Sequence, residues 1–214
     1  MQEKLVIHQS SSWTRTIGGL LAVAEFSEES VILLISWVWA LSEIIGSYII
    51  PRLRQKGQVK TRSDRGSRVA IWLGMFIAIF LSDYFATRGI TPIPELFFYV
   101  GIVLMLVGIV FRQWAIWVLG RFFSTKVRIV SDHRIVREGP YRFLRHPSYT
   151  GMLMILLGLG LASRTWLGTI VILVLFGLVM GYRINVEEKA LRAEFGEEYV
   201  EYAKKTKRLL PFLF

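Results

Sequence analysis

The sequence has no cysteine. Disulfides, thiolate catalysis and cysteine-ligated zinc are therefore excluded. Histidine is scarce: three in 214 residues. Two of them, His133 and His146, stand thirteen residues apart, a weak pattern for a metal site, and no metal is expected. Acidic residues are few, 16 against 26 lysines and arginines, for a net charge of +10. Long stretches lack charge almost entirely. Residues 31–50 carry only Glu43, residues 69–86 only Asp83, residues 96–120 only Arg112, and residues 151–182 only Arg164. A water-soluble surface cannot be built from such blocks. The mean hydropathy of +0.47 says the same of the whole chain.

About 20 apolar residues cross the hydrocarbon core of a bilayer. The first three blocks each fit one crossing and the fourth fits a hairpin of two. The expectation is an all-α, polytopic helical membrane bundle of five spans, at 31–51, 68–88, after Pro94 to 120, 148–162 and 165–185. The last two form a hairpin turning at 163–165. A strongly basic chain could bind nucleic acid, but the placement of charge points elsewhere. Residues 51–68 carry seven basic residues and Asp64; residues 121–147 carry seven and only Asp132 and Glu138. The connections at 89–94 and 163–165 are nearly uncharged. This is the positive-inside pattern. It puts both basic loops in the cytoplasm against anionic headgroups, the N-terminus outside and the C-terminus inside, with no nucleic-acid partner. Within residues 1–30 the only apolar run, 17–24, is short and followed by acids, so a surface-lying segment is expected there rather than a signal peptide. Residues 186–214 read as cytoplasmic helices interrupted at Gly196, with an apolar end at 209–214. The whole is one domain: surface segment 1–30, three spans over 31–120, a loop at 121–147, the hairpin at 148–185, and the terminal helices.

Charges inside spans are costly and carry meaning. Glu43 and Arg112 both lie about 10–12 Å from the cytoplasmic ends of their helices, at 1.5 Å per residue, and are expected to pair. Asp83 lies nearer the outer surface. The loop 133–149 concentrates two histidines, four arginines and a Gly139–Pro140 turn. It could offer donors, backbone amides and aromatic faces to an anionic or zwitterionic cofactor, or simply rest on anionic lipid. Arg183 and Glu187, four apart, share a helix face at the membrane boundary. They are either a surface ion pair or a hold on a polar group of a lipid-borne substrate.

These residues carry a family signature. Gly139-Pro-Tyr141, Arg145-His146-Pro147-Ser-Tyr149, Arg183 with Glu187-Glu188, Phe195-Gly196-Glu-Glu-Tyr199-Val-Glu-Tyr202 and Arg208-Leu-Leu-Pro211 resemble the isoprenylcysteine carboxyl methyltransferase family. Gly108-Ile-Val-Phe-Arg112-Gln-Trp-Ala115 with Leu119-Gly120-Arg-Phe-Phe-Ser124 resembles its helix-to-loop entry. The resemblance covers about residues 100–214. Pro140 departs from it, standing where many relatives have an apolar β-branched residue. The resemblance implies S-adenosyl-L-methionine as cofactor and a lipophilic or lipidated acceptor, foremost an isoprenylcysteine carboxylate. It implies that His133, Ile135, Val136, Tyr141, His146 and Pro147 line the cofactor site, that Gly139, Arg145 and Tyr149 shape it, and that Arg183 and Glu187 face the methyl acceptor. Three other readings stay open: a phospholipid N-methyltransferase, an NADPH-dependent sterol-type reductase with a similar Arg-His-Pro loop, and a non-catalytic protein whose basic loops bind lipid.

Overall fold

The structure, a computed structural model, describes residues 27–49, 59–62, 67–123, 128–130 and 134–209. The expected surface segment, most of the basic loop 51–68, His133 and the apolar end beyond Leu209 lie outside those residues. Five apolar helices stand where the uncharged blocks place them. They are α1 (Glu28–Glu43), α2 (Ser67–Thr87), α3 (Leu96–Leu119), α4 (Pro147–Ala162) and α5 (Trp166–Phe195); a short polar helix, α6 (Glu197–Lys205), follows. Three segments are long and apolar enough to cross a membrane: Glu28–Ser47, Leu96–Phe122 and Trp166–Phe195. Leu73–Thr87 and Pro147–Ala162 are shorter apolar helices.

Large apolar side chains point outward all along these helices. Trp37, Phe76, Val110 and Leu178 are each more than 60% exposed. No aqueous surface tolerates such a continuous coat, whereas lipid requires it. The inner faces meet in one core of Ile35 and Trp39, Met105 and Ile109, Met152 and Ile155, Ile172 and Phe176. Between α3 and α4 the approach is backbone to backbone. A Cβ on Gly101 would lie 2.5 Å from the Gly158 carbonyl oxygen, and one on Gly108 would lie 2.8 Å from the Ile155 nitrogen. Small residues are how helices pack closely where no hydrophobic drive separates protein from solvent.

Three features depart from the sequence expectation. First, one short ladder accompanies the all-helical bundle. β1 (Val59–Arg62) pairs antiparallel with β2 (Arg128–Val130), with Val59 opposite Val130 and Arg62 opposite Arg128. Second, α1 passes into a π-helical turn, Ile44–Ile49, before Pro51. Third, α5 does not stop at 185. Nothing in residues 183–195 breaks a helix, and the charged turns ride on the apolar ones until Gly196, whose φ of +52° ends the helix.

The two ends of the bundle are tied differently. At one end the ladder joins the two basic loops. At the other the two short connections bond each other: Ile93 N–H donates to the Arg164 carbonyl at 3.0 Å, Trp166 N–H to that of Thr91 at 2.9 Å, and the Thr165 hydroxyl to that of Ile90 at 2.9 Å. The Arg164 side chain reaches Glu28 at 3.2 Å, adding the start of α1. A groove of about 870 Å³ between α1 and α2 opens at this second end, well away from the loop 134–149.

Candidate active site

The site is built where α4 begins. Glycine is required at 139, since its φ is +54°. Pro140 opens a 3-10 turn, Gly139–Arg142, at a position whose N–H has no helical partner to lose. That turn buries Tyr141 and Leu144 and delivers the chain to His146, after which Pro147 starts α4.

The polar segment after α6 returns to this loop and zips to it. Lys207 N–H donates to the Phe143 carbonyl at 2.9 Å, Arg145 N–H to that of Lys207 at 2.7 Å, and His146 N–H to that of Arg208 at 3.1 Å. The Tyr202 hydroxyl donates to the Tyr141 carbonyl at 2.8 Å. The Thr150 hydroxyl donates to that of Leu209 at 2.5 Å. Each bond answers a backbone group that burial would otherwise strand.

Glu188 is the hub of this junction. Its buried carboxylate accepts from Arg145 Nε at 2.9 Å and from Arg208 Nη2 at 3.0 Å, and His146 Nε2 lies 3.4 Å away. Arg145 Nη1 also donates to the carbonyls of Ala203, at 2.8 Å, and Thr206. Arg145 thus clamps the loop to the C-terminal segment.

One turn away, the hydroxyl of Tyr149 donates to Glu187 Oε2 at 2.8 Å and accepts from Arg183 Nε at 3.3 Å. Arg183 is among the largest fully buried side chains, 2% exposed. Glu187 is half-buried. His146 stacks on Tyr149, centroids 5.5 Å apart and planes 12° from parallel. Adjacent glutamates on a helix point about 100° apart, so Glu187 serves the Tyr149–Arg183 group while Glu188 serves the loop.

Of the expected residues, Gly139, Tyr141, Arg145, His146, Pro147 and Tyr149 form one loop-and-helix start, with Tyr149 bonded to both Arg183 and Glu187. Ile135 and Val136 lie in irregular backbone, half-buried, ahead of the 3-10 turn. His133 is outside the described residues. Sequence reading underrated Glu188, Tyr199 and Tyr202. Tyr199 and Tyr202, three apart, are the buried stripe of α6. Burial raises the Tyr202 phenol to about 12. Burial first, then the nearby Glu188 carboxylate, raises that of Tyr199; burial and then Glu187 raise that of Tyr141. The Tyr199 hydroxyl is buried with no hydrogen-bond partner among the described residues. Such a group costs free energy unless something binds it.

The donor set suits S-adenosyl-L-methionine. The Tyr199 hydroxyl is a position for a polar group, and the half-buried Ile135 and Val136 offer apolar surface to a base.

Fold and site together define a membrane-type bundle of apolar helices with a polar site at one end. Residues 101–193 match the model of the Isoprenylcysteine carboxyl methyltransferase (ICMT) family, so the resemblance carried by the motifs is shown over that stretch. A rice protein (Oryza sativa subsp. indica) named "Probable protein-S-isoprenylcysteine O-methyltransferase" is 37% identical over 117 residues, 54% of this chain and 61% of that one. Protein-S-isoprenylcysteine O-methyltransferase B of Arabidopsis thaliana is 34% identical over 115 residues, 53% of this chain and 58% of the relative. This chain therefore spans about three-fifths of the length of these relatives. A solved structure of the eukaryotic intramembrane Ras methyltransferase ICMT, without a monobody, superposes with a TM-score of 0.58 at 25% identity, covering 86% of this chain and 65% of that one.

Proposed function

We propose that the protein transfers a methyl group from S-adenosyl-L-methionine to a lipophilic acceptor, foremost the carboxylate of an isoprenylcysteine-like substrate. We also propose that all five apolar helices cross the membrane, with the N-terminus outside and the site on the cytoplasmic face. The ladder between the basic loops and the bonds between the two short connections support this topology, because each pair must lie on one side.

The observation that carries the functional reading is the Tyr149 hydroxyl held between Arg183 and Glu187, beside His146. Ile135, Val136, Tyr141, His146, Pro147 and Tyr199 would hold the cofactor, which supplies an electrophilic methyl on a sulfonium sulfur. An acceptor carboxylate is already ionised at neutral pH, with an ordinary value near 3.5. No side chain need remove a proton. What the residues must supply is alignment and a dry, cationic seat. Arg183 provides that seat: a buried guanidinium presents a planar fork to a carboxylate. Glu187, acting through Tyr149, holds the guanidinium plane and offsets its charge while the acceptor is absent.

The deciding experiment is calorimetry of the purified protein with S-adenosylhomocysteine, followed by methyl transfer to an isoprenylcysteine analogue. Arg183→Ala should abolish turnover while binding of S-adenosylhomocysteine persists. If binding disappears with turnover, Arg183 belongs to the cofactor and not to the acceptor. Binding of NADPH in place of S-adenosylhomocysteine would overturn the methyltransferase reading.

A further inference from the structure

Glu43, on α1, lies outside the stretch that matches the family. Yet a single side chain, Arg112, links it to the start of α4. Its carboxylate accepts from two nitrogens on one edge of Arg112, Nε to Oε2 at 2.7 Å and Nη2 to Oε1 at 2.6 Å. The remaining nitrogen, Nη1, donates to the Ser148 carbonyl at 2.7 Å. Ser47, in the π-helical turn, donates to the same carboxylate at 2.6 Å. Ser148 stands between His146–Pro147 and Tyr149.

A guanidinium is planar and rigid. When one edge is fixed by a two-point contact, the direction of every other donor is set as well. The base of this side chain is held too. A Cβ on Gly151 would lie 2.6 Å from Arg112 Cβ, so the α4 backbone rests against the root of the arginine less than one turn beyond Ser148. Arg112 is 4% exposed, and Tyr149 and Tyr141 lie within electrostatic reach of it.

We propose that Glu43 and Arg112 are positioning residues for the methyl transfer: the pair holds the Ser148 carbonyl, and so fixes where the first turn of α4 presents His146 and Tyr149. This rests on the function proposed above. A pair that merely joined α1 to α3 would need only the Glu43 edge. The bond to Ser148 is the extra feature, and it can be tested separately.

The test uses the full chain in lipid nanodiscs, with three readouts: melting temperature, methyl transfer, and amide hydrogen exchange of residues 148–152. Glu43→Gln should lower kcat/KM by about 100-fold, the scale of a small misplacement remote from the reacting atoms, and should speed exchange at those amides. The charge swap, Glu43→Arg with Arg112→Glu, is the discriminating variant. It restores an ion pair between α1 and α3, but a carboxylate at 112 cannot donate to Ser148. The melting temperature should recover while turnover stays low and exchange stays fast. Recovery of turnover with the swap would reduce the pair to helix pairing and overturn the proposal. If the swap does not fold, Arg112→Lys decides. A point ammonium keeps the charge but cannot span both acceptors, so turnover should fall; unchanged turnover overturns the proposal. If the unaltered protein binds no S-adenosylhomocysteine, the functional reading fails. Exchange at 148–152 in Glu43→Gln then still reports the clamp by itself, and unchanged exchange would end it.

Discussion

Glu188 shows how much one buried carboxylate can organise. Arg145 and Arg208 both donate to it, from the loop and from the segment after α6. Glu188→Gln leaves two guanidinium groups without their counter-charge. Breaking one partner of a buried ionic group costs about 3–5 kcal/mol, so thermal unfolding in detergent should drop by several degrees. Glu187→Gln, at a half-buried neighbour, should move the melting temperature far less. The buried tyrosines set a second residue-scale expectation. The Tyr202 phenol titrates at about 12 in the folded protein, against an ordinary value near 10. A raised folded value means that the unfolded chain ionises first. The stabilisation is complete below pH 10 and is lost as pH rises from there towards 12. Melting temperature measured across that window should fall, and Tyr202→Phe should flatten the fall.

At the scale of elements, glycines divide into two kinds. Gly151 lets α4 lie on Arg112, and a methyl there meets backbone. Gly151→Ala should cost about 1–3 kcal/mol by overpacking and should lower turnover with it. Gly177 on α5 has open space around it. Gly177→Ala should be neutral or gain up to about 1 kcal/mol from helix propensity. Comparison of the two melting temperatures checks both. The same scale explains what the sequence made legible. Uncharged blocks locate helices well, because a bilayer admits little else, and the pairing of Glu43 with Arg112 followed from two costly charges at equal depth. The Arg183–Glu187 spacing located a shared face but not the Tyr149 hydroxyl between them, since a contact across helices leaves no periodicity in either. The continuity of α5 through 185 was hidden because the end of the span was read as a break between two helices, although helix up to Gly196 was expected. The β1–β2 ladder was hidden because strands of four and three residues are too short to show an alternating pattern. Glu188 was overshadowed by its neighbour, since only the angular offset along α5 separates their tasks.

For the whole molecule, topology is the open quantity and the sequence offers a convenient way to measure it. With no native cysteine, single cysteines report without background. Arg88→Cys in the turn after α2 and Arg137→Cys in the loop should behave oppositely in intact cells. A membrane-impermeant maleimide should label the first directly and the second only after permeabilisation. Labelling of both from outside would refute the five-span arrangement.

The zipper between residues 143–146 and 207–209 also imposes an order in time. Residues 207–209 are synthesised only after all five described apolar helices. Until then Arg145 lacks the carbonyls of 203 and 206, and the loop lacks its seam. A chain whose helices are all in place can therefore still lack the junction, and the site is assembled only with the final few residues of that seam.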